Sequence, residues 1–152
     1  MKRLSMRDER WNNVNLNGTP KSAKTSVGVI GCLVTSLCML HSKWYKDWIR
    51  PDEAAMTWKF TMGGLLRWMD TDFTGMKFVH RDYFYNPDII KNYVKTPGFG
   101  VVLELDGNHW GAVWDWGIRG PVIFDPINGH ILWRWQNHYK SITGFALFNK
   151  TV

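Results

Sequence analysis

Three side chains that stand far apart in this chain could together do covalent chemistry: Cys32, His109 and Asp125. Cys32 lies where a glycine-containing loop meets an apolar helical pattern. A helix N-terminus presents unpaired N–H groups and a partial positive charge. Both favour a thiolate, the nucleophilic form of cysteine. Gly31, just before it, permits close backbone approach. Position alone fits equally well a small buried residue that starts a helix. Cys38 sits mid-helix among Leu37, Met39 and Leu40 and reads as core. Six residues of helix separate the two sulfurs' Cα atoms by about 9 Å, beyond the roughly 7 Å that a disulfide spans.

A cysteine nucleophile needs a base, and the base needs a group to orient it. Of the five histidines, His41 is nine residues along the Cys32 helix and cannot reach the thiol. His80 lies in a charged stretch, and His130 and His138 neighbour turns. His109 opens a strand-like run, and Asp125 closes another before Pro126. If residues 109–116 pair with 121–125 across a turn at 117–120, His109 and Asp125 stand directly opposite on one face. A carboxylate there accepts the imidazole N–H and fixes its tautomer. Taken singly, His109 also fits a strand-rim histidine, and Asp125 a turn former.

The elements that must position these groups are readable in outline. Residues 1–11 form an arm ending on Trp11, and 12–31 are rich in turn formers. From Cys32 to Trp48, apolar residues at 33, 37, 40, 44 and 48 trace a helix with one buried face. Arg50-Pro51 ends it, and Pro51-Asp52-Glu53 opens a second helix with acids in its first turn. Leu65 to Met69 suggests a further short helix, and Asn86-Pro87-Asp88 starts another, running to Tyr93. Runs at 100–105, 109–116, 121–125, 130–135 and 142–148 read as strands, separated by Asp-Gly and Asn-Gly hairpin signals. Helices first and an antiparallel meander after them make an α+β fold with the N-terminal helices packed on a C-terminal sheet.

The 152 residues are expected to form a single domain with a real core. No run approaches the roughly 18 apolar residues of a membrane span. Net charge is +6, but the basic residues are scattered, and no run of five like charges marks a nucleic-acid patch. The excess of positive charge suits an acidic polymer such as a bacterial wall. Ten tryptophans fit either an aromatic core or a groove lined by rings, with Trp110, Trp114 and Trp116 the candidates for the cleft. No Cys-x-x-Cys or His-x-x-x-His spacing supports a metal, and no phosphate-binding glycine pattern supports a nucleotide. No cofactor is therefore expected. The charged start lacks an apolar h-region, so it is not read as a secretory signal. Synthesis in a cytoplasm is expected, with virion association or release to the wall as the later destinations.

The arrangement resembles papain-like cysteine peptidases, most closely the bacteriocin-leader-peptidase-like group of bacteria and phages. Gly31-Cys32-Leu33-Val34-Thr35-Ser36, with Met39, is similar to that group's Gly-Cys-x-x-Thr-Ser helix start. His109-Trp110-Gly111-Ala112-Val113 is similar to its histidine strand, and Asp125-Pro126 with Asn128-Gly129 to its aspartate turn. Trp11, Leu16 and the loop from Gly18 to Gly28 are similar to the segment before the cysteine in phage members. The likeness spans roughly residues 7–130 and keeps the order Cys, His, Asp.

The resemblance implies a papain-like fold and a phage-encoded thiol hydrolase of amide bonds, acting on peptidoglycan peptides or on a protein. It makes Cys32 the nucleophile, His109 the base and Asp125 the orienting carboxylate. One departure stands out. The group commonly has a glutamine before the cysteine as oxyanion donor, and the only glutamine here is Gln136. Ser26 and Thr25 are the hydroxyls placed to substitute. The alternative that this departure implies is a weak or inactive peptidase-fold protein, kept as a virion or host-takeover binding factor.

Overall fold

The computed structural model describes residues 1–151, the side chain of Ala23 excepted. A short helix α1 (Val27–Ile30) precedes α2 (Cys32–Trp44) and α3 (Pro51–Thr57). Strand β1 (Met76–Asp82) and helix α4 (Pro87–Lys95) follow. The chain then runs through β2 (Phe99–Leu105), β3 (His109–Gly117), β4 (Gly120–Asp125), β5 (His130–Leu132) and β6 (Ile142–Lys150). The six strands form one sheet in the order β1-β6-β2-β3-β4-β5, and every pairing is antiparallel. Among the described residues no helix is long and apolar enough to cross a membrane.

Strand alternation sorts the core into two layers. Val102, Ala112, Phe124 and Phe148 face α2, whereas Val101, Leu103, Val113, Ile123 and Leu147 face α4 through Ile90 and Val94. The α+β reading therefore stands, with one helix on the far face as well. Of the ten tryptophans, Trp11, Trp58, Trp110 and Trp135 are buried and Trp44, Trp48, Trp68 and Trp116 pack half-buried against the core, so the aromatic excess largely builds the interior.

Several details differ from the sequence reading. Helix α2 ends at Trp44, where Tyr45 turns extended, and does not continue to Trp48. Residues 34–41 are all buried, so the helix is covered all round rather than on a single stripe. The N-terminal arm lies on its outer side, with Leu4 N–H donating to Met39 Sδ at 3.2 Å. Residues 65–69 form no helix; Leu66 instead bridges back to Phe60. Strand β5 stops at Leu132, and 135–137 is a 3-10 turn. Strand β1 was not expected at all. Its alternation of Met76 and Phe78 is interrupted by a register shift between Phe78 and His80, and its second half is charged. Strand β6 inserts between β1 and β2, so the sheet is not a simple meander.

Candidate active site

The three groups read from the sequence all fall at element ends. Cys32 is the first residue of α2, His109 the first of β3 and Asp125 the last of β4. Strands β3 and β4 are antiparallel, so the start of one and the end of the other share an edge of the sheet.

The registry differs from the expected one. Strand β3 pairs with β4 through Ala112↔Phe124 and Val113↔Ile123, then shifts by one at Trp114, and the strands join through Gly117↔Gly120. The turn is thus two residues, Ile118 and Arg119, not four. Asp125 falls opposite Gly111 and diagonal to His109. Two-residue steps keep both side chains on one face, and Gly111 puts no side chain between them. His109 Nε2–H donates to Asp125 Oδ1 at 2.9 Å.

Asp125 is held on every side. Ile127 N–H also donates to Oδ1 at 3.0 Å, and the Tyr139 hydroxyl donates to Oδ2 at 2.6 Å. Burial alone would raise its carboxyl pKa, but these hydrogen bonds and the nearby imidazole outweigh burial and lower it. Burial and the adjacent carboxylate push the Tyr139 phenol well up, so it remains a donor. The Tyr139 ring also stacks on His109, with centroids 5.3 Å apart.

Tyr139 went unnoticed in the sequence because no motif spacing marks it. Its segment is fixed by Asp106, whose Oδ1 accepts from Lys140 N–H and Ser141 N–H at 2.9 Å each. Asp106 and Gly107 both have positive φ, and with Asn108 they make the three-residue turn between Leu105 and His109, where Asn108 N–H donates to Leu105 O at 3.3 Å.

Cys32 lines the same cleft as the His109 ring. Burial opposes the charged imidazole, but the hydrogen bond to Asp125 and the nearness of Cys32 raise its pKa to about 9. Asp125 engages Nε2 and leaves Nδ1 as the other ring nitrogen. Helix α1 closes with Gly31 N–H donating to Val27 O, and α2 begins afresh at Cys32. That break denies Cys32 N–H the i−4 acceptor of a continuous helix and leaves it as an oxyanion donor. Only glycine fits the break, because a Cβ at Gly31 would lie 2.4 Å from Val27 O. Cys38, by contrast, is fully buried, and burial pushes its thiol well up.

A cleft of about 510 Å³ opens over Cys32 and His109, walled by Val29, Leu65, Trp110 and Ile127. Trp110 thus borders the site as expected. Trp114 and Trp116 do not: Trp114 stacks on Phe124 further along β3, and Trp116 packs on the α4 side. The bulge at Trp114 and the distance along the strand carry both away from the His109 end.

The hydroxyl candidates are also elsewhere. Thr25 Oγ1 donates within its own loop, to Asn15 Oδ1 at 2.7 Å and Pro20 O at 2.8 Å. Ser26 lines a neighbouring polar groove rather than the Cys32 cleft. The N-terminal arm borders the cleft. Met6 N–H donates to Pro126 O at 2.6 Å, Ser5 Oγ–H donates to Ile127 O at 2.8 Å, and Met6 and Arg7 line the cleft.

Comparison with protein-family models, with curated proteins and with solved structures gives no match to this chain.

Proposed function

We propose that the protein is a cysteine peptidase of papain-like arrangement that hydrolyses amide bonds, with Cys32 as nucleophile, His109 as acid and base, and Asp125 as its orienter. The observation that carries this reading is the His109 imidazole, hydrogen-bonded to a buried carboxylate and lining one cleft with the helix-tip Cys32.

The Cys32 thiolate attacks the carbonyl carbon, forming a C–S bond, and the oxygen takes the negative charge beside Cys32 N–H. His109, protonated, gives its proton to the leaving nitrogen as the C–N bond breaks. Water then attacks the thioester while His109 accepts its proton, and the C–S bond breaks. The products are a carboxylic acid and an amine. Asp125 and Tyr139 keep the ring in the tautomer that serves both transfers. Cys32→Ala is expected to abolish hydrolysis of a peptide or cell-wall substrate with a melting temperature close to the parent's. Hydrolysis retained in that variant overturns the proposal. Clearing of purified walls in a gel, against cleavage of a protein substrate, separates the two substrate classes.

One observation favours a second reading, a peptidase-fold binding protein. No glutamine precedes Cys32, and the Thr25 hydroxyl is engaged in its own loop. Loss of one oxyanion donor can lower the rate by about 10²–10³. Alkylation distinguishes the two. In the peptidase, iodoacetamide modifies Cys32 rapidly below about pH 8 while buried Cys38 stays intact. Equal sluggishness of both thiols favours the binding protein.

A further inference from the structure

The cleft over Cys32 does not end at Val29. A second, wider groove of about 680 Å³ adjoins it, and Arg7, Gly28 and Val29 border both. The two hollows thus form one continuous trough across α1. Their chemistry differs. The catalytic end is walled by apolar side chains, including Val29 and Leu65, which are 57% and 72% exposed. The outer end is polar, lined by Asn12, Asn13, Asn15, Lys21 and Ser22.

Charge in the trough has one sign. Arg7 and Lys21 contribute its cations, and among the described residues no aspartate or glutamate lines either hollow. Among the described residues neither cation is in an ion pair; the nearby Asp8 is taken by Arg10 at 2.8 Å. The outer wall is also built rather than loose. Asn15 ties its own loop together, with Nδ2–H donating to Thr19 Oγ1 at 2.7 Å and Oδ1 accepting from Thr25 Oγ1 at 2.7 Å. That knot sets the loop from which Lys21 projects. Gly28 closes the seam beneath: its N–H donates to Asn12 O at 2.8 Å, and a Cβ there would lie 2.8 Å from the same oxygen. Asn12 Oδ1 is buried at this seam and has no hydrogen-bond partner among the described residues.

We infer that this outer groove is a substrate subsite for a carboxylate-bearing stretch of peptide, held by Arg7 and Lys21 on one side of the scissile bond. The inference rests on the peptidase reading for the position of the bond, but not for binding. An exposed cation pair of this kind attracts carboxylates over about 10 Å at moderate salt, and the attraction weakens as salt rises. The amides and hydroxyls around it bind peptide backbone without regard to charge.

The test uses the full chain carrying Cys32→Ala, so that binding is read without turnover. Three fluorescein-labelled peptides of one alanine-rich frame carry two glutamates, two glutamines or two lysines on the same side of a central apolar residue. Fluorescence anisotropy is expected to rank the glutamate peptide above the glutamine peptide by at least about threefold, with the lysine peptide weakest. Added Arg7→Gln or Lys21→Gln should each remove that preference, and Lys21→Glu should turn it toward the lysine peptide. Unchanged melting of these exposed-site variants guards against unfolding. Equal binding of the three peptides, or no binding of any at about 1 mM, overturns the inference. Parent protein and the same peptides test the other reading separately. Charge-selective binding without hydrolysis leaves the groove and removes the peptidase. Hydrolysis indifferent to charge does the reverse.

Discussion

At the residue scale the site turns on the His109 proton. Its imidazole is half-buried, which opposes its charge, and yet its pKa is raised to about 9 by Asp125 and the nearby Cys32. Raised pKa values carry a definite sign. The stability His109 contributes is fully present below its unfolded value near 6.5 and is lost as pH rises through about 9. The same proton is the one given to the leaving amine, so the alkaline limb of kcat/KM for peptide hydrolysis is expected near pH 9. Asp125→Asn removes the main hydrogen-bonding charge on Nε2 and should move that limb to lower pH, with a large loss of rate from the wrong tautomer. A limb that stays near 9 in Asp125→Asn would show that another group sets it. Tyr139→Phe should act more gently. It removes one donor from Asp125, lets the carboxyl pKa rise, and costs on the order of 1–3 kcal/mol in stability, readable by urea unfolding. Cys32, His109 and Asp125 were legible in the sequence because each sits beside a turn or helix-start signal. Tyr139 was not, since its role depends on Asp106 drawing residues 140 and 141 back to the β2–β3 hairpin.

At the scale of elements, the helix break before Cys32 and the bulge in β3 decide the geometry. The start of α2 could be read from the change of texture at Cys32, but its separation from α1 could not, because both segments are apolar and only Gly31 marks the joint. Gly31→Ala drives a methyl into Val27 O and Cα, which lie 2.4 and 2.6 Å from that position. Backbone atoms cannot yield as a flexible side chain does. The variant should lose about 1–3 kcal/mol in thermal or urea unfolding, and more activity than that loss explains, because Cys32 N–H moves with the joint. Equal effects on folding and on rate would assign Gly31 a packing role alone. The β3–β4 register escaped the sequence for a related reason. An extra residue at Trp114 and a tight Ile118-Arg119 turn both fit the same apolar alternation, and a one-residue slip is invisible without the partner strand. His109 and Asp125 meet despite the wrong register because diagonal neighbours on one face are still within reach. Strand β1 was hidden by its bulge and charges, and only its pairing with β6 makes it a strand.

At the scale of the molecule, the site joins two bodies of structure: the layer that holds α2 and the sheet that holds His109 and Asp125. The N-terminal arm crosses between them. Lys2 N–H donates to Ser42 Oγ at 2.8 Å and Leu4 N–H to Met39 Sδ on α2. Met6 N–H and Ser5 Oγ–H then reach the Pro126–Ile127 turn that follows Asp125. Leu4 and Met6 are buried, and Trp11 closes the arm with its indole N–H on Ser5 O at 2.7 Å. The charged residues of this arm, such as Arg3, Arg7 and Arg10, alternate with the apolar ones that anchor it. Removal of residues 1–7 therefore should not behave as trimming a tail. Exposing the surface under Leu4 and Met6 is expected to cost about 3–5 kcal/mol of folding stability, seen as a lower melting temperature. Activity measured well below that temperature should fall further, because the Asp125 turn loses both tethers that fix it against α2. The single substitution Ser5→Ala, with Leu4 and Met6 intact, tests the side-chain tether alone: a small stability loss of about 1 kcal/mol with a disproportionate drop in kcat. An unchanged melting temperature on removal of residues 1–7 would detach the arm from the site and leave Asp125 held by β4, β5 and Tyr139 alone.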